Sequence, residues 1–456
     1  MPHVDNWPIK ISIRMQFIIH FFVAISSNIR GYMLRFTSIF FVLMMGSFHM
    51  LKGQNSNGQI IASDSNYIPT VRSIYFQDVN STLSLPIFYL DSVYQFNIHF
   101  DLLENKPRRI SYSLLLYDRN WNPVDLDPLE YLEGINEQLI TNYKSSQLTL
   151  VPYIHYTINF PSTELNLKST GNYLLIVYDE DENVLFTRKI YVAQNRFRVD
   201  VKFVSAADIA KYYSHQAIEM NITVPYPYKV LNPLQELQVE IFQNGNPNTR
   251  IILKEPFNYS SDKFNYVRKD EIIFPAMKEY RYKDIRSVQQ KTFGISYWDE
   301  RDGKYNCYFV PDEIRADRNY FSDIDINGRF YISKNDVEYA RDNYIKEYVW
   351  CYPSIKTSRH DEREVYIYGA LSDWKLKDEF KMTYDESKRA YLGSFLFKNS
   401  YFNYMYATLD DQGNISTSEF EGDWYETEND YFVLVYYKGF GDRNDRIVFA
   451  GRFTSN

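Results

Sequence analysis

The chain has 456 residues, 50 Lys+Arg against 58 Asp+Glu for a net charge of −8, 45% apolar residues, and 42 Tyr, 32 Phe and 6 Trp. So much apolar and aromatic material, with only 17 Gly and 17 Pro, excludes collagenous, low-complexity and largely disordered chains and suffices for the cores of two or three ordinary domains. The acidic balance and the lack of any run of five basic residues exclude an electrostatic grip on nucleic acid or on an anionic lipid surface.

The amino terminus carries two apolar runs, Met15–Ile25 and Phe36–Phe48. Neither reaches the roughly 18 residues that a spanning helix needs, so direct membrane insertion is not expected. The second run has the parts of a secretory signal peptide: a start-capable Met33, a basic Arg35, the apolar core, and a small Gly53 before Gln54. Residues 1–53 are therefore read as an upstream extension and signal peptide, with a two-run membrane anchor as the alternative. Cleavage after Gly53 would remove five basic residues and one acidic residue and leave a net charge of −12.

Beyond Gln54, short runs rich in Tyr, Phe, Val, Ile and Leu recur, as in Tyr94–Phe100, Ser111–Tyr117 and Tyr173–Tyr178. Their period of two is that of half-buried strands. Turn chemistry separates them at Asn120–Pro123, Thr170–Asn172, Gln243–Pro247, Arg301–Gly303 and Asp411–Asn414. The one helical contender is Asp336–Lys346, where Val337, Ala340, Tyr344 and Ile345 would share a face. Strands at about ten-residue intervals with few helices point to an all-β chain of three consecutive immunoglobulin-like or E-set β-sandwiches. The expected domains are 54–195, 196–322 and 323–456.

Catalytic motifs are scarce. The histidines beyond residue 53, His99, His155, His215 and His360, stand singly and never at i, i+4 spacing, which gives no zinc-hydrolase pattern. There is no Gly-x-Ser-x-Gly elbow and no phosphate-cradling or dinucleotide glycine loop. Asp323-Ile324-Asp325-Ile326-Asn327-Gly328 opens like a calcium loop, but position 12 is Lys334 where a bidentate Glu is needed; a carboxylate-rich tight turn is the expectation. Cys307 and Cys351 read as structural, and their spacing leaves open whether they pair. No enzyme activity, cofactor or metal is expected.

Several motifs fall in a recognisable order. Asp118-Arg119-Asn120-Trp121, Glu130-Tyr131-Leu132-Glu133-Gly134, Pro152-Tyr153-Ile154-His155-Tyr156, Ser169–Leu175 and Thr187-Arg188 come first. Glu279–Arg286, Asp325–Gly328, Val365–Gly369, Asn403–Tyr406 and Thr427–Tyr431 follow. Together they resemble the type IX secretion system plug protein family of Bacteroidota. Where that pattern has a His-Cys pair before the first Asp, this chain has Leu116-Tyr117. The resemblance implies a non-enzymatic periplasmic protein at the inner face of the outer membrane. Its partner would be a large translocon β-barrel whose periplasmic mouth it closes.

A rival expectation comes from the last domain. Tyr366–Trp374, Tyr391-Leu392-Gly393 and Tyr401–Tyr406 are similar to glycogen-binding modules, in which sugar rings stack on exposed aromatic side chains. Trp374 and Trp424 would be the platforms for glucan, or else contacts for a protein partner. A surface adhesin fits the composition equally, although the third sandwich leaves no room for a separate carboxy-terminal sorting domain.

Overall fold

The computed structural model describes residues 62–455 except 79–81, 84, 93–95, 163, 268–270, 289, 333–342 and 358–362, all within a compact unit that runs from Lys52 to Asn456. The signal-peptide reading, most of the helical contender and His360 lie outside the described residues; Asn343–Ile345 forms a single 3-10 turn. Strands dominate, as the alternation predicts, and the described α-helices, such as Pro128–Tyr131 and Ser418–Glu421, are single turns.

The first core is built by β1 (Val71–Gln77), β2 (Phe96–Leu102), β3 (Ile110–Tyr117), β4 (Ile154–Phe160), β5 (Gly171–Asp179) and β6 (Val184–Ala193). Antiparallel β1, β2 and β4 form one sheet, and β3, β5 and β6 belong to another. Phe96, Ile98, Phe100 and Leu102 of β2 meet Tyr112, Leu114 and Leu116 of β3 and Tyr173, Leu175 and Val177 of β5 in one cluster. That is the apolar face that period-two alternation requires. The intervening His99 and Asp101 are nevertheless buried, because something covers the outer face of β2 as well.

The predicted turn at Thr170–Asn172 is instead the start of β5. Gly171 takes φ 147°, where an added Cβ would lie 3.1 Å from the Asp445 carbonyl. The buried Asn172 side chain donates to the Asp118 carbonyl at 3.0 Å and accepts from the Tyr436 hydroxyl at 2.9 Å. A polar residue thus sits inside a strand because both of its polar atoms are satisfied there.

The second core begins with β7 (Arg198–Ser205), β8 (His215–Thr223) and β9 (Leu237–Gln243). The chain then enters the third core through β10 (Arg281–Asp284), β11 (Ile295–Arg301), β12 (Lys304–Phe309), β13 (Tyr348–Tyr352), β14 (Phe395–Lys398) and β15 (Tyr401–Leu409). It returns as the hairpin β16 (Asp430–Tyr437) and β17 (Arg446–Thr454). β16 pairs antiparallel with β9 over Leu237–Gln243, and Tyr431, Val433, Val435 and Tyr437 fill the second core. β10, in turn, pairs with β15.

This pairing corrects the expected domains at 196–322 and 323–456: residues 281–309 build the third core and residues 430–454 complete the second. Alternation announces strands but not their partners, so the chain's return was invisible in sequence. One 10-stranded sheet carries β9, β16, β17, β6, β5 and β3 in that order, crossing from the second core to the first where Ala193 bridges Ile447.

Cys307 and Cys351 are in-register neighbours on the parallel strands β12 and β13, fully buried as free thiols. The Asp323–Gly328 segment is a tight turn with Asn327 at φ 52° and Gly328 at φ 77°. The Asp325 carboxylate accepts from the Tyr280 and Asn327 backbone N–H groups, so backbone donors occupy it.

Candidate functional site

Trp374 sits in the interior. It follows the 3-10 turn Ala370–Ser372 and is only 6% exposed. Edge-on contacts to Tyr368 at 5.5 Å and Tyr280 at 6.2 Å hold the ring, and Asn248 donates to its carbonyl at 2.6 Å. Gly328 lies against the indole, where a Cβ would come within 2.3 Å of the ring. A buried indole cannot stack on a sugar, so the expectation that Trp374 is a platform is corrected.

Trp424 is half-buried and belongs to a row of aromatic rings at the surface. Its ring lies nearly parallel to Tyr213 at 6.3 Å and to Tyr320 at 5.9 Å, and Tyr425 and Tyr212 extend the group. The backbone fixes the row. Trp424 N–H donates to the Met277 carbonyl at 2.8 Å, Tyr425 N–H donates to the Tyr213 carbonyl at 3.0 Å, and Gln216 Nε2 donates to the carbonyls of Tyr425 and Thr427 at 2.7 Å each. Tyr212 and Tyr213 follow a 3-10 turn capped by Asp208, whose carboxylate accepts from Ala210 N–H.

With Tyr213 61% exposed and Tyr212 42% exposed, the row leaves several rings open to a partner. Aromatic groups of this kind are enriched at protein interfaces. The sequence pointed to Trp424 but missed Tyr213 and Tyr320, which reach it from distant stretches of chain.

Carboxylates surround this row. Trp424 Nε1 and the Tyr425 hydroxyl both donate to Glu426 at 3.0 Å, and the Tyr320 hydroxyl donates to Glu279. Burial pushes the Glu279 carboxyl up to about 7, against the opposing pull of the Tyr320 hydrogen bond. Burial likewise raises Asp325 to about 6, partly offset by its two backbone donors. Both carboxyls therefore keep their protons to higher pH than exposed carboxyls do.

A second group of polar side chains explains the burial of His99 and Asp101. Asp101 accepts from Lys398 Nζ at 2.6 Å, from the Tyr348 hydroxyl at 2.7 Å and from His155 Nδ1 at 2.6 Å. His99 lies 3.2 Å from the other nitrogen of His155 and stacks on Tyr75. Histidines that stand singly in sequence thus meet across β2 and β4. Burial alone would raise the Asp101 carboxyl, but Lys398 and His155 hold it below its ordinary value. Every oxygen of Asp101 is engaged, and β13 and β14 of the third core are the cover over β2. The group is a tie between cores.

No curated protein matches the chain. A crystal structure of a hypothetical protein from Parabacteroides merdae ATCC 43184 is similar with a TM-score of 0.81 and 24% identity, covering 87% of this chain and 100% of that one. This establishes the shared fold. A family model described as type 9 secretion system plug protein 1st domain matches residues 71–194, the stretch that holds the first core and the first group of ordered motifs. Residues 71–194 thus match the first domain of the type 9 secretion system plug protein family.

Proposed function

We propose that the chain is a periplasmic plug that closes the inner mouth of the outer-membrane type IX translocon barrel. The observation that carries this reading is the plug-family match over residues 71–194. A plug needs a body that keeps its shape and a face that binds reversibly. Three cores linked by a continuous sheet and a buried polar tie suit the first need. The aromatic row at Trp424 suits the second, and we assign it to contact with the barrel. Among the described residues no helix is long and apolar enough to cross a membrane.

The test is affinity purification of the tagged chain from detergent-solubilised envelopes of its own bacterium. One giant outer-membrane barrel is expected in stoichiometric amount, and Trp424→Ser with Tyr213→Ser should reduce its recovery. Recovery of no barrel would overturn the plug reading. Retention on glucan resin instead would revive the carbohydrate reading, from which buried Trp374 now subtracts its first platform.

A further inference from the structure

Distant stretches of the chain meet around a cavity of about 320 Å³, near the lower end of the roughly 300–1,000 Å³ of small-molecule pockets. Trp121, Phe242 and Trp374 line it, and so do five cations: Arg188, Lys189, Arg250, Arg329 and Lys375. Only Asp64 and Asp373 among its lining residues are acidic. In a chain of net charge −8, such a convergence of cations runs against composition.

Two of the five are neutralised. Arg188 pairs with Asp373 at 3.2 Å, and Arg250 Nε donates to Glu240 at 2.8 Å. The others have no carboxylate within 4.0 Å among the described residues. Lys189 is half-buried with its ammonium 4.3 Å from the centre of the Trp121 ring, so its methylenes and head are held at the wall. Arg329, also half-buried, spends Nε on the Ile326 carbonyl at 2.8 Å. Lys375 is exposed at the rim and donates to the Asp64 backbone carbonyl. Desolvation lowers the pKa of all three from their ordinary values, a cost that a bound counter-charge removes.

We propose that this cavity binds a small organic anion, its carboxylate or phosphate group held by Lys189, Arg329 and Lys375 and its apolar body set against the wall to which Leu83, Pro86, Trp121 and Phe242 contribute. An apolar wall with a few convergent charges is the usual composition of a small-molecule site, and that wall favours a ring-bearing or acyl body over a bare inorganic ion. A guest contacting all these stretches at once would stabilise the folded chain by mass action. The inference stands independently of the plug reading.

Phenyl phosphate is the probe, with inorganic phosphate and phenol as its separate halves. Tryptophan fluorescence reads the site directly because two indoles line it, and Trp121→Phe assigns the signal. Phenyl phosphate should saturate one site, raise Tm, and bind tighter than either half. Lys189→Met and Arg329→Met should each weaken binding about tenfold, as expected for loss of one charged hydrogen bond. Lys189→Arg, which keeps the charge, should retain binding, and the Tm of each free variant reports whether it folds. Absence of saturation at millimolar phenyl phosphate, or unchanged affinity in a folded Lys189→Met/Arg329→Met double variant, would overturn the proposal.

Discussion

Glu279 carries the clearest residue-level consequence of burial. Its carboxyl titrates at about 7 rather than near its ordinary 4.5 because burial penalises the anion. The folded chain therefore holds that proton more tightly than the unfolded chain. The stability this adds is complete below about pH 4.5 and is lost as pH rises through about 7. Asp325, raised to about 6, acts in the same direction. Glu279→Gln keeps an acceptor for the Tyr320 hydroxyl but cannot ionise. Its urea midpoint should fall less between about pH 5 and about pH 8 than that of the parent; equal falls would mean that Glu279 does not titrate in this window.

What sequence could say of this site was limited by the same physics. An aromatic residue in a turn-like segment is equally consistent with a core position and a surface one, and Trp374 and Trp424 resolve in opposite directions. The difference lies in Gly328, whose missing side chain admits the Trp374 ring. It lies also in Tyr213 and Tyr320, which flank Trp424 from elsewhere in the chain. The burial of His99 and Asp101 was likewise beyond reach of alternation, because a pattern on one strand carries no information about a second cover.

At the scale of elements, the all-β reading succeeded because period-two alternation is local, and the domain boundaries shifted because pairing is not. We propose that the second domain is discontinuous, formed by residues 196–276 and 428–455 with the third domain inserted between them. The hairpin β16–β17 then belongs to the second core in full. Tyr431, Val433, Val435, Tyr437 and Val448 lie in that core, and burial of each is worth about 1.5–3 kcal/mol. Their sum is comparable with the whole stability of an ordinary domain, about 5–15 kcal/mol. A chain ending at Asn429 should therefore lose the second core while keeping the first. Limited proteolysis should cut within 196–276 and spare 71–192, whereas uniform protection of both stretches would show that the hairpin is dispensable.

Across the whole molecule, the Asp101 group decides whether the cores move as one. Lys398 lies in β14 of the third core and Asp101 in β2 of the first, both almost fully buried, so their pairing makes relative motion of the two cores costly. Removing one partner strands the other without a counter-charge in a site closed to water, at about 3–5 kcal/mol. Asp101→Asn and Lys398→Met should each destabilise by about that amount. The double variant, which leaves no unpaired charge, should cost less than the sum of the two singles. The two single variants should also speed amide exchange in Phe96–Leu102 and Phe395–Lys398 together, since the strands share one cover. Strict additivity of the variants, or faster exchange confined to one strand, would mean that the cores are held by apolar contact alone. Under the proposed plug role, cores that hinge freely would leave part of the mouth open, so uncoupling the pair should show as leakage through the translocon before it shows as loss of fold.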